Sequence, residues 1–375
     1  MRCKDMHMTI RILALALILT PALAVSAQGA ASARPVTLMT IHMVTERSGW
    51  ALSPHNLLHT SDGGQQWSVV TVPTNGVTLE GADLAVRGSD HLWVAAPLVT
   101  DHGLPRSAVL LSTDAGRHWA TSSSLRGMPI SMSWPNDRIG YILTGEGGAA
   151  GSVPNDVYAT ADGGHHWNLV EYNRMAQRSP GALTSCDGFA GISFAAPSVL
   201  LAAGGCGAGP RILMLYRSAD GGRRWIQESL PVPRGEHAGY WNIAPPAFFG
   251  TQGVLPVSVG PPNAFVLYRS SNGGLSWVPT TPLHAPEPFV SPDAFALSPL
   301  ITWAYVGNHL YLTTDGGASW RRAASLRFQT TPELDFVSLD TGFALGVGPG
   351  RTARNELYRT TDGTHWNRVR TVVTR

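Results

Sequence analysis

One short motif occurs seven times in this chain of 375 residues, and this recurrence constrains the fold more than any other feature. The copies are TSDGGQQW (60–67), STDAGRHW (112–119), TADGGHHW (160–167), SADGGRRW (218–225), SSNGGLSW (270–277), TTDGGASW (313–320) and TTDGTHW (360–366). Their tryptophans lie 43 to 58 residues apart, a period typical of propellers and other repeat arrays. A chain needs one active centre, so seven copies indicate a structural unit.

The differences among the copies show what the motif requires. The acid becomes Asn272 in the fifth copy, which keeps a side-chain oxygen and loses the charge, so hydrogen-bond acceptance in a turn is the predicted role. The glycine two residues after the acid predicts a left-handed backbone position. His165 and His166 are replaced by Gln, Arg, Ala or Ser in other copies, which indicates an exposed turn. The predicted structural residues are Asp62, Trp67, Asp114, Trp119, Asp162, Trp167, Asp220, Trp225, Asn272, Trp277, Asp315, Trp320, Asp362 and Trp366.

The segments around each motif predict β-strands. A short β-prone run precedes every copy and another follows it, which indicates strand, tight turn and strand. A second hairpin-like pair lies upstream, most clearly in 192–204 and 334–348, so each repeat has four strands. Helical periodicity is missing, while Gly and Pro are frequent. The sequence therefore predicts an all-β fold, a single seven-bladed β-propeller of four-stranded antiparallel blades, and leaves open whether the first strand completes the last blade.

The motif resembles the Asp-box, or BNR repeat, of sialidases, the sortilin luminal domain, xyloglucanases and the photosystem II assembly and stability factors. Seven copies in register cover residues 36 to 372. The resemblance implies that each box joins the third and fourth strands of a blade. The chain is most similar overall to the single-ring photosystem assembly-factor-like group, which implies a non-enzymatic platform for a protein or peptide. The photosynthetic role itself is not carried over, because the loops match no arginine pattern of that group.

The start of the chain has the composition of a secretory leader. Three basic residues precede an unbroken apolar run at 12–19, and the small residues 25–27 follow it as a cleavage site. The apolar run is shorter than the roughly 20 residues of a membrane span, although an uncleaved anchor remains an alternative. We expect a secreted or cell-envelope protein without a membrane span in the mature chain. The predicted organisation is a signal peptide at 1–27, a short linker at 28–35 and the propeller at 36–375.

Cleavage after residue 27 removes Cys3 and leaves two cysteines in an oxidising compartment. If the hairpin turns at Ala196 and Pro197, Cys186 and Cys206, each ten residues from Ala196, face each other. We predict a disulfide between them, worth about 3 kcal/mol in the chain-entropy estimate. Two free buried thiols are the alternative.

Charge and motifs exclude several function classes. Removal of the leader leaves 24 basic and 24 acidic residues, and a neutral ring without a basic cluster is a poor nucleic-acid binder. The 13 histidines show no metal-ligand spacing, and neither a nucleophile elbow nor a phosphate loop occurs. We therefore predict no cofactor, no metal and no nucleic-acid partner, and we expect a monomer.

Alternating strand directions place the motif turns on one face of the ring and the longer connections on the opposite face. Loops on a rigid scaffold commonly carry binding residues, so we predict that the loop-rich face binds a protein, peptide or glycan. The candidate binding residues are Arg174, Arg178, Arg234, Tyr240, Trp241, Arg327, Arg351 and Arg354.

A glycoside hydrolase, sialidase-like or xyloglucanase-like, is the alternative function. Sialidases need three arginines on the substrate carboxylate, a Tyr/Glu couple and an acid/base Asp, introduced by an Arg-Ile-Pro-like segment that the first strand here lacks. Xyloglucanases of this type use two propellers with carboxylates facing across a cleft. Tyr358 recurs as a tyrosine in four other repeats, which predicts a core position.

Overall fold

Seven sheets arranged in a ring make up the described part of the chain. The structure is a computed structural model that describes residues 34–73, 76–99, 103–147, 154–172, 181–183, 189–196, 198–205, 213–237, 241–259, 264–285, 293–349 and 354–374. These residues contain strands and turns and no helix, which confirms the predicted all-β propeller of seven four-stranded blades.

The strands are numbered in chain order. Blades 1 to 3 and the strand before them are β1 (Arg34–Pro35), β2 (Thr40–Met43), β3 (Gly49–Leu52), β4 (Leu57–Thr60), β5 (Gln66–Val70), β6 (Asp83–Arg87), β7 (His91–Pro97), β8 (Arg106–Ser112), β9 (Ala120–Thr121), β10 (Leu125–Arg126), β11 (Met128–Ser133), β12 (Gly140–Gly145), β13 (Asn155–Thr160) and β14 (Asn168–Tyr172). Blades 4 and 5 are β15 (Phe189–Ala196), β16 (Val199–Gly205), β17 (Leu213–Ser218), β18 (Ile226–Gln227), β19 (Trp241–Ile243), β20 (Ala247–Phe249), β21 (Gln252–Val259), β22 (Ala264–Ser270), β23 (Val278–Pro279) and β24 (Leu283–His284). Blades 6 and 7 and the final strand are β25 (Asp293–Ala296), β26 (Thr302–Val306), β27 (His309–Thr313), β28 (Arg321–Ser325), β29 (Glu333–Phe336), β30 (Gly342–Val347), β31 (Asn355–Thr360), β32 (Asn367–Val369) and β33 (Val372–Thr374).

Each blade uses consecutive strands, from an inner strand near the ring axis to an outer strand at the rim. The first strands of neighbouring blades contact one another around the axis. Some strands are split: β9 and β10 both pair with β8, and β19 and β20 both pair with β21. Splitting keeps the four-stranded plan while letting the strand bend.

The ring closes at the rim of blade 1. The final strand β33 pairs in parallel with β5, and β1 pairs with β33 in antiparallel register. Thr371 Oγ1 also donates a hydrogen bond to the carbonyl of Val36 at 2.9 Å. All seven blades are therefore complete without a shared strand, and the two ends of the described chain attach to the outer edge of the first blade.

The recurring motif forms the turn between the third and fourth strands of every blade, here called the box turn. In blade 1 the Thr60 hydroxyl donates to Asp62 Oδ1 at 2.9 Å and accepts the Gly64 N–H at 3.0 Å. Asp62 Oδ1 also accepts two backbone N–H groups of the following residues, both at 3.0 Å. The Ser/Thr-to-acid bond occurs in all seven copies, including the one with Asn272. The acid therefore closes a turn, as an Asx residue does.

The box tryptophans pack between blades. Each lies in or against a hydrophobic cluster shared with the preceding blade; Trp67, for example, is fully buried with Phe343 and Leu357 of blade 7. The Trp67 indole N–H donates to the carbonyl of Gly64 at 2.8 Å, which fixes the ring against its own turn. In blade 3 Trp167 meets Trp134 edge-on, and Trp134 stacks on Trp93 of blade 2 at 4.0 Å between centroids. The tryptophans are thus core residues of the blade interfaces.

The hairpin of blade 4 has a shifted register. Ile192 lies opposite Ala202, rather than opposite Leu200 as a turn centred on residue 196 requires, and irregularities occur at both ends of β15. These irregularities insert residues that the sequence pattern does not reveal. Cys186 and Cys206 lie outside the described residues, so the disulfide stays a prediction.

Candidate binding surface

The box face consists of capped turns rather than an active site. In TADGGHHW, His166 Nδ1 lies 2.6 Å from Asp162 Oδ2, while Asp162 Oδ1 accepts the His166 N–H at 3.0 Å. Partial burial raises the pKa of Asp162, but the hydrogen bonds from His166 and Thr160 lower it by more, so that the net shift is downward. Equivalent Asp–His pairs occur at Asp114 and Asp362. The acid and the histidine therefore bond to each other, and the acid also bonds to the backbone of the turn.

Carboxylates on the inner strands join neighbouring blades. Asp335 Oδ2 of blade 7 accepts the N–H of Met43 in blade 1, and Asp83 Oδ2 of blade 2 accepts the N–H of Met132 in blade 3 at 2.8 Å. Glu333 accepts a hydrogen bond from the Thr40 hydroxyl at 2.7 Å. Inner strands have one edge without a strand partner, so these side chains supply acceptors that a further strand would otherwise provide.

Burial raises the pKa values of these inner carboxyls. Desolvation raises the pKa of Asp335 to about 7 and that of Asp293 to about 7, against hydrogen bonds from the next blade that lower both. Desolvation by the surrounding protein also raises the pKa of Glu333 to about 8, although this residue retains exposed surface. Asp335 is buried and is therefore the clearer case.

The loop-rich face carries the predicted arginines that the structure describes. Arg234, Arg327 and Arg354 are all exposed. Arg327 lies between Leu326 and Phe328, which are both buried in the cluster between blades 6 and 7. None of the three arginines pairs with a carboxylate of the described chain. The remaining candidates Arg174, Arg178, Tyr240 and Arg351 lie outside the described residues.

Trp241 occupies a different environment. Only 6% of its surface is exposed, and its ring packs against Tyr268 at 6.4 Å between centroids. It opens the inner strand of blade 5 and belongs to the cluster between blades 4 and 5. Its side chain therefore offers little surface to a partner.

Tyrosine–carboxylate pairs occur on the third strands of blades 3 and 7. The Tyr158 hydroxyl donates to Asp156 Oδ2 at 3.3 Å and accepts the N–H of Arg126 at 3.0 Å. In blade 7 the Tyr358 hydroxyl donates to Glu356 Oε2 at 3.1 Å. Burial raises the pKa of Tyr358, with the hydrogen bond to Glu356 acting in the same direction. A neighbouring carboxylate can serve as the base for a hydroxyl nucleophile, so an activity assay, rather than this pKa shift, tests the glycoside hydrolase alternative.

A second group of arginines, which the sequence analysis did not select, lines the rim where blade 7 meets blade 1. Arg368 and Arg370 line two cavities of about 460 and 300 Å³, Arg354 lines the larger one, and Arg359 lines the smaller one. In the sequence, two of these arginines appear only as the Arg-rich segment NRVR after the last box. That this segment lies beside blade 1 follows only from the way the ring closes.

The described residues contain neither a cluster of metal ligands nor a membrane-spanning helix. They contain no group of three or more His, Cys, Asp or Glu side chains placed to hold a metal ion. Within the same residues, no helix has the length and hydrophobicity that crossing a bilayer would need.

No protein-family model and no curated protein matches the chain. Among solved structures, it is similar to YCF48 bound to a D1 peptide, with 18% identity, a TM-score of 0.54, and coverage of 92% of this chain and 99% of that one. YCF48 from Cyanidioschyzon merolae has 17% identity and a TM-score of 0.55, over 87% of this chain and 95% of that one. The GH74 xyloglucanase from Xanthomonas campestris has 16% identity and a TM-score of 0.55, over 92% of this chain and 55% of that one. These similarities show the propeller fold.

Proposed function

We propose that this protein is an exported, non-enzymatic propeller that binds a protein, peptide or glycan through its loop-rich face, with a peptide as the preferred class. The observation that carries the proposal is that the charged side chains of the two faces have different partners. On the box face the acids accept hydrogen bonds from residues of their own turns. On the loop-rich face Arg234, Arg327 and Arg354 are exposed and have no carboxylate partner in the described chain.

The preference for a peptide is supported by the comparison. A propeller of the same fold, YCF48, has been solved with a D1 peptide bound, so a ring of this type can serve as a peptide platform. Arginine suits this role because its planar guanidinium forms paired hydrogen bonds with carboxylates. The exposed, unpaired arginines Arg234, Arg327 and Arg354 therefore favour a ligand with acidic groups.

Selection from a displayed library of random 12-residue peptides tests the proposal. We expect the purified protein to enrich a related set of peptides, and the variant R234A/R327A to bind them at least ten-fold more weakly. The variant R117A/R138A, which changes two exposed arginines of the box face, is the matched control. Enriched peptides that bind R234A/R327A as well as wild type would move the site away from these two arginines. Failure to enrich any peptide, together with a blank glycan array, would reject a binding function.

The glycoside hydrolase alternative makes its own prediction. Turnover of a fluorogenic sialoside or a soluble β-glucan by the purified protein would replace the proposed function with catalysis. Export is tested separately: residues 1–27 fused to a periplasmic reporter enzyme should carry it out of the cytoplasm, and retention of an active reporter inside the cell would reject the leader.

A further inference from the structure

A continuous groove runs along the rim between blade 7 and blade 1. Its two cavities, of about 460 and 300 Å³, share Arg368, Val369 and Arg370 as lining residues. Residues 35–37 line the larger cavity, and the smaller one reaches Gly63 and Gln65 of the first box turn. The groove therefore extends along the outer strand β32, from the loop-rich face to the box face.

The groove has a surplus of positive charge. Four arginines line it, namely Arg354, Arg359, Arg368 and Arg370. The one carboxylate in its lining is Glu356, whose Oε1 lies 2.9 Å from Arg368 Nη2. The other three guanidinium groups pair with no carboxylate of the described chain. Arg359 instead donates to the carbonyl of Glu46 in blade 1 at 3.1 Å, and its Nε is buried without a hydrogen-bond partner.

The main chain along the groove also has a strand edge that pairs with no other strand of the described chain. β32 is the last strand of its sheet, so in the described chain its outer edge is not paired with another strand. In blade 1, by contrast, β33 and β1 cover the corresponding edge. An uncovered strand edge is a template for an extended segment, which adds to it by main-chain hydrogen bonds. Asn367 to Arg370 offer about 13 Å, enough for four extended residues.

We propose that this rim groove binds an extended, acidic segment of a partner protein, which adds as a strand beside β32 and pairs its carboxylates with Arg354, Arg359 and Arg370. An extended peptide has alternate side chains on one side, about 7 Å apart, so acidic residues at every second position face the arginines together. A nucleic acid fits less well, because it needs a much longer basic track than four arginines. The site shares Arg354 with the loop-rich face, but Arg359, Arg368 and Arg370 lie at the rim, so the site does not depend on the function proposed for that face.

Fluorescence anisotropy with a labelled octapeptide of alternating Glu and Val, capped at both ends, tests the site. We expect saturable binding that weakens with added salt, and a loss of at least ten-fold in the variant R354Q/R370Q. Both arginines are exposed, so melting of the variant should match wild type. R117Q/R138Q on the box face is the control for a general loss of charge, and should retain full binding.

Two further probes separate the parts of the proposal. The same peptide with Gln in place of Glu tests the charge, and the Glu peptide with N-methyl groups on alternate amides tests the strand addition. Both should bind at least ten-fold more weakly than the parent. Equal binding of the N-methylated peptide would overturn strand addition, and unchanged binding to R354Q/R370Q would overturn the groove. A heparin oligosaccharide that displaces the peptide at lower concentration would assign the groove to polyanions instead.

The outcomes are distinct from those of the loop-rich face. Selected peptides that bind R234A/R327A more weakly than wild type, and R354Q/R370Q as tightly as wild type, would support the proposed function and contradict the rim site. The opposite pattern would place binding at the rim alone.

Discussion

Ala115 shows what the box turn demands of single residues. In the six other copies a glycine occupies this position, and all of these residues have positive φ; Ala115 itself has φ of 60°. The next residue, Gly116, is left-handed too, at 79°. The sequence predicted a left-handed backbone only at this second glycine, because the presence of alanine in one copy concealed the requirement at the position before it.

Ala115→Gly is therefore expected to stabilise the protein. A left-handed alanine costs about 1–2 kcal/mol, part of which the greater flexibility of glycine in the unfolded chain offsets, so the expected gain is about 0.5–1 kcal/mol. Urea unfolding measures it. Ala318→Gly, an exposed alanine of the sixth box turn without positive φ, is the control and should lower stability. A loss of stability in both variants would contradict the strain at Ala115.

The box acid should tolerate the loss of its charge but not of its oxygen. Asn272 Oδ1 makes the same bonds as the acids, accepting from the Ser270 hydroxyl and from the N–H of Ser276 at 3.0 Å. We expect Asp162→Asn to change the free energy of unfolding by less than about 0.5 kcal/mol and Asp162→Ala to lower it by about 1–2 kcal/mol, as loss of a capping side chain does. Equal effects of the two substitutions in thermal melting would assign the role to charge.

At the scale of the element, the hairpins were predictable and their irregularities were not. β-prone runs around each motif located the third and fourth strands of all seven blades. The split of the outer strand at β9 and β10, and the shifted pairing of Ile192, depend on packing against neighbouring strands, which alternation in the sequence does not record. Inner carboxylates such as Asp335 were missed for the same reason, because their hydrogen-bond donors belong to another blade.

Trp167 is the test of the packing between elements. Trp167→Ala removes a nearly buried indole from the interface of blades 2 and 3, where it meets Trp134 edge-on at 5.6 Å. We expect a loss of about 3–5 kcal/mol in urea unfolding, because the cavity cannot close between two rigid sheets. Leu169→Ala, two residues further along the same blade and 43% exposed, should cost far less. Native melting behaviour of Trp167→Ala would contradict the core role.

At the scale of the whole molecule, the seven motifs determine the number of blades, whereas the site depends on how the ring closes. The closing strand β33 is only three residues long, and its pairing with β5 is between segments some 300 residues apart in sequence. For this reason the sequence singled out Arg354 but not Arg368 or Arg370, which acquire a common environment only when blade 7 and blade 1 meet.

The buried carboxyls predict how stability depends on pH. The folded-state pKa of Asp335 is raised to about 7, so the folded protein binds a proton that the unfolded chain releases near pH 4. Stability is therefore expected to fall as pH rises from about 4 through 7, and Asp293 acts in the same direction. The box acids have lowered pKa values, and their contribution, which is small because these side chains are exposed or half-buried, is lost as pH falls below about 4. We expect maximal stability near pH 4.

Thermal melting between pH 4 and 9 measures this dependence. Asp335→Asn keeps an oxygen that accepts the N–H of Met43 and has no proton to release, so its melting temperature should fall less steeply between pH 5 and 8. Asp340→Asn, at an exposed position, is the control. A slope that Asp335→Asn leaves unchanged would show that other groups are responsible.

The attachment of both chain ends to blade 1 has a practical consequence. Arg34 lies directly opposite Val373 in the register of β1 and β33, so the described ends are neighbours at one point on the circumference. A short linker between them, with new ends opened in a surface turn of another blade, yields a circular permutant in which every sheet keeps its strands. A protein fused directly to Arg34 or Thr374 is held at the same point of the circumference, and the far side of the ring stays clear for immobilisation on a sensor or a bead.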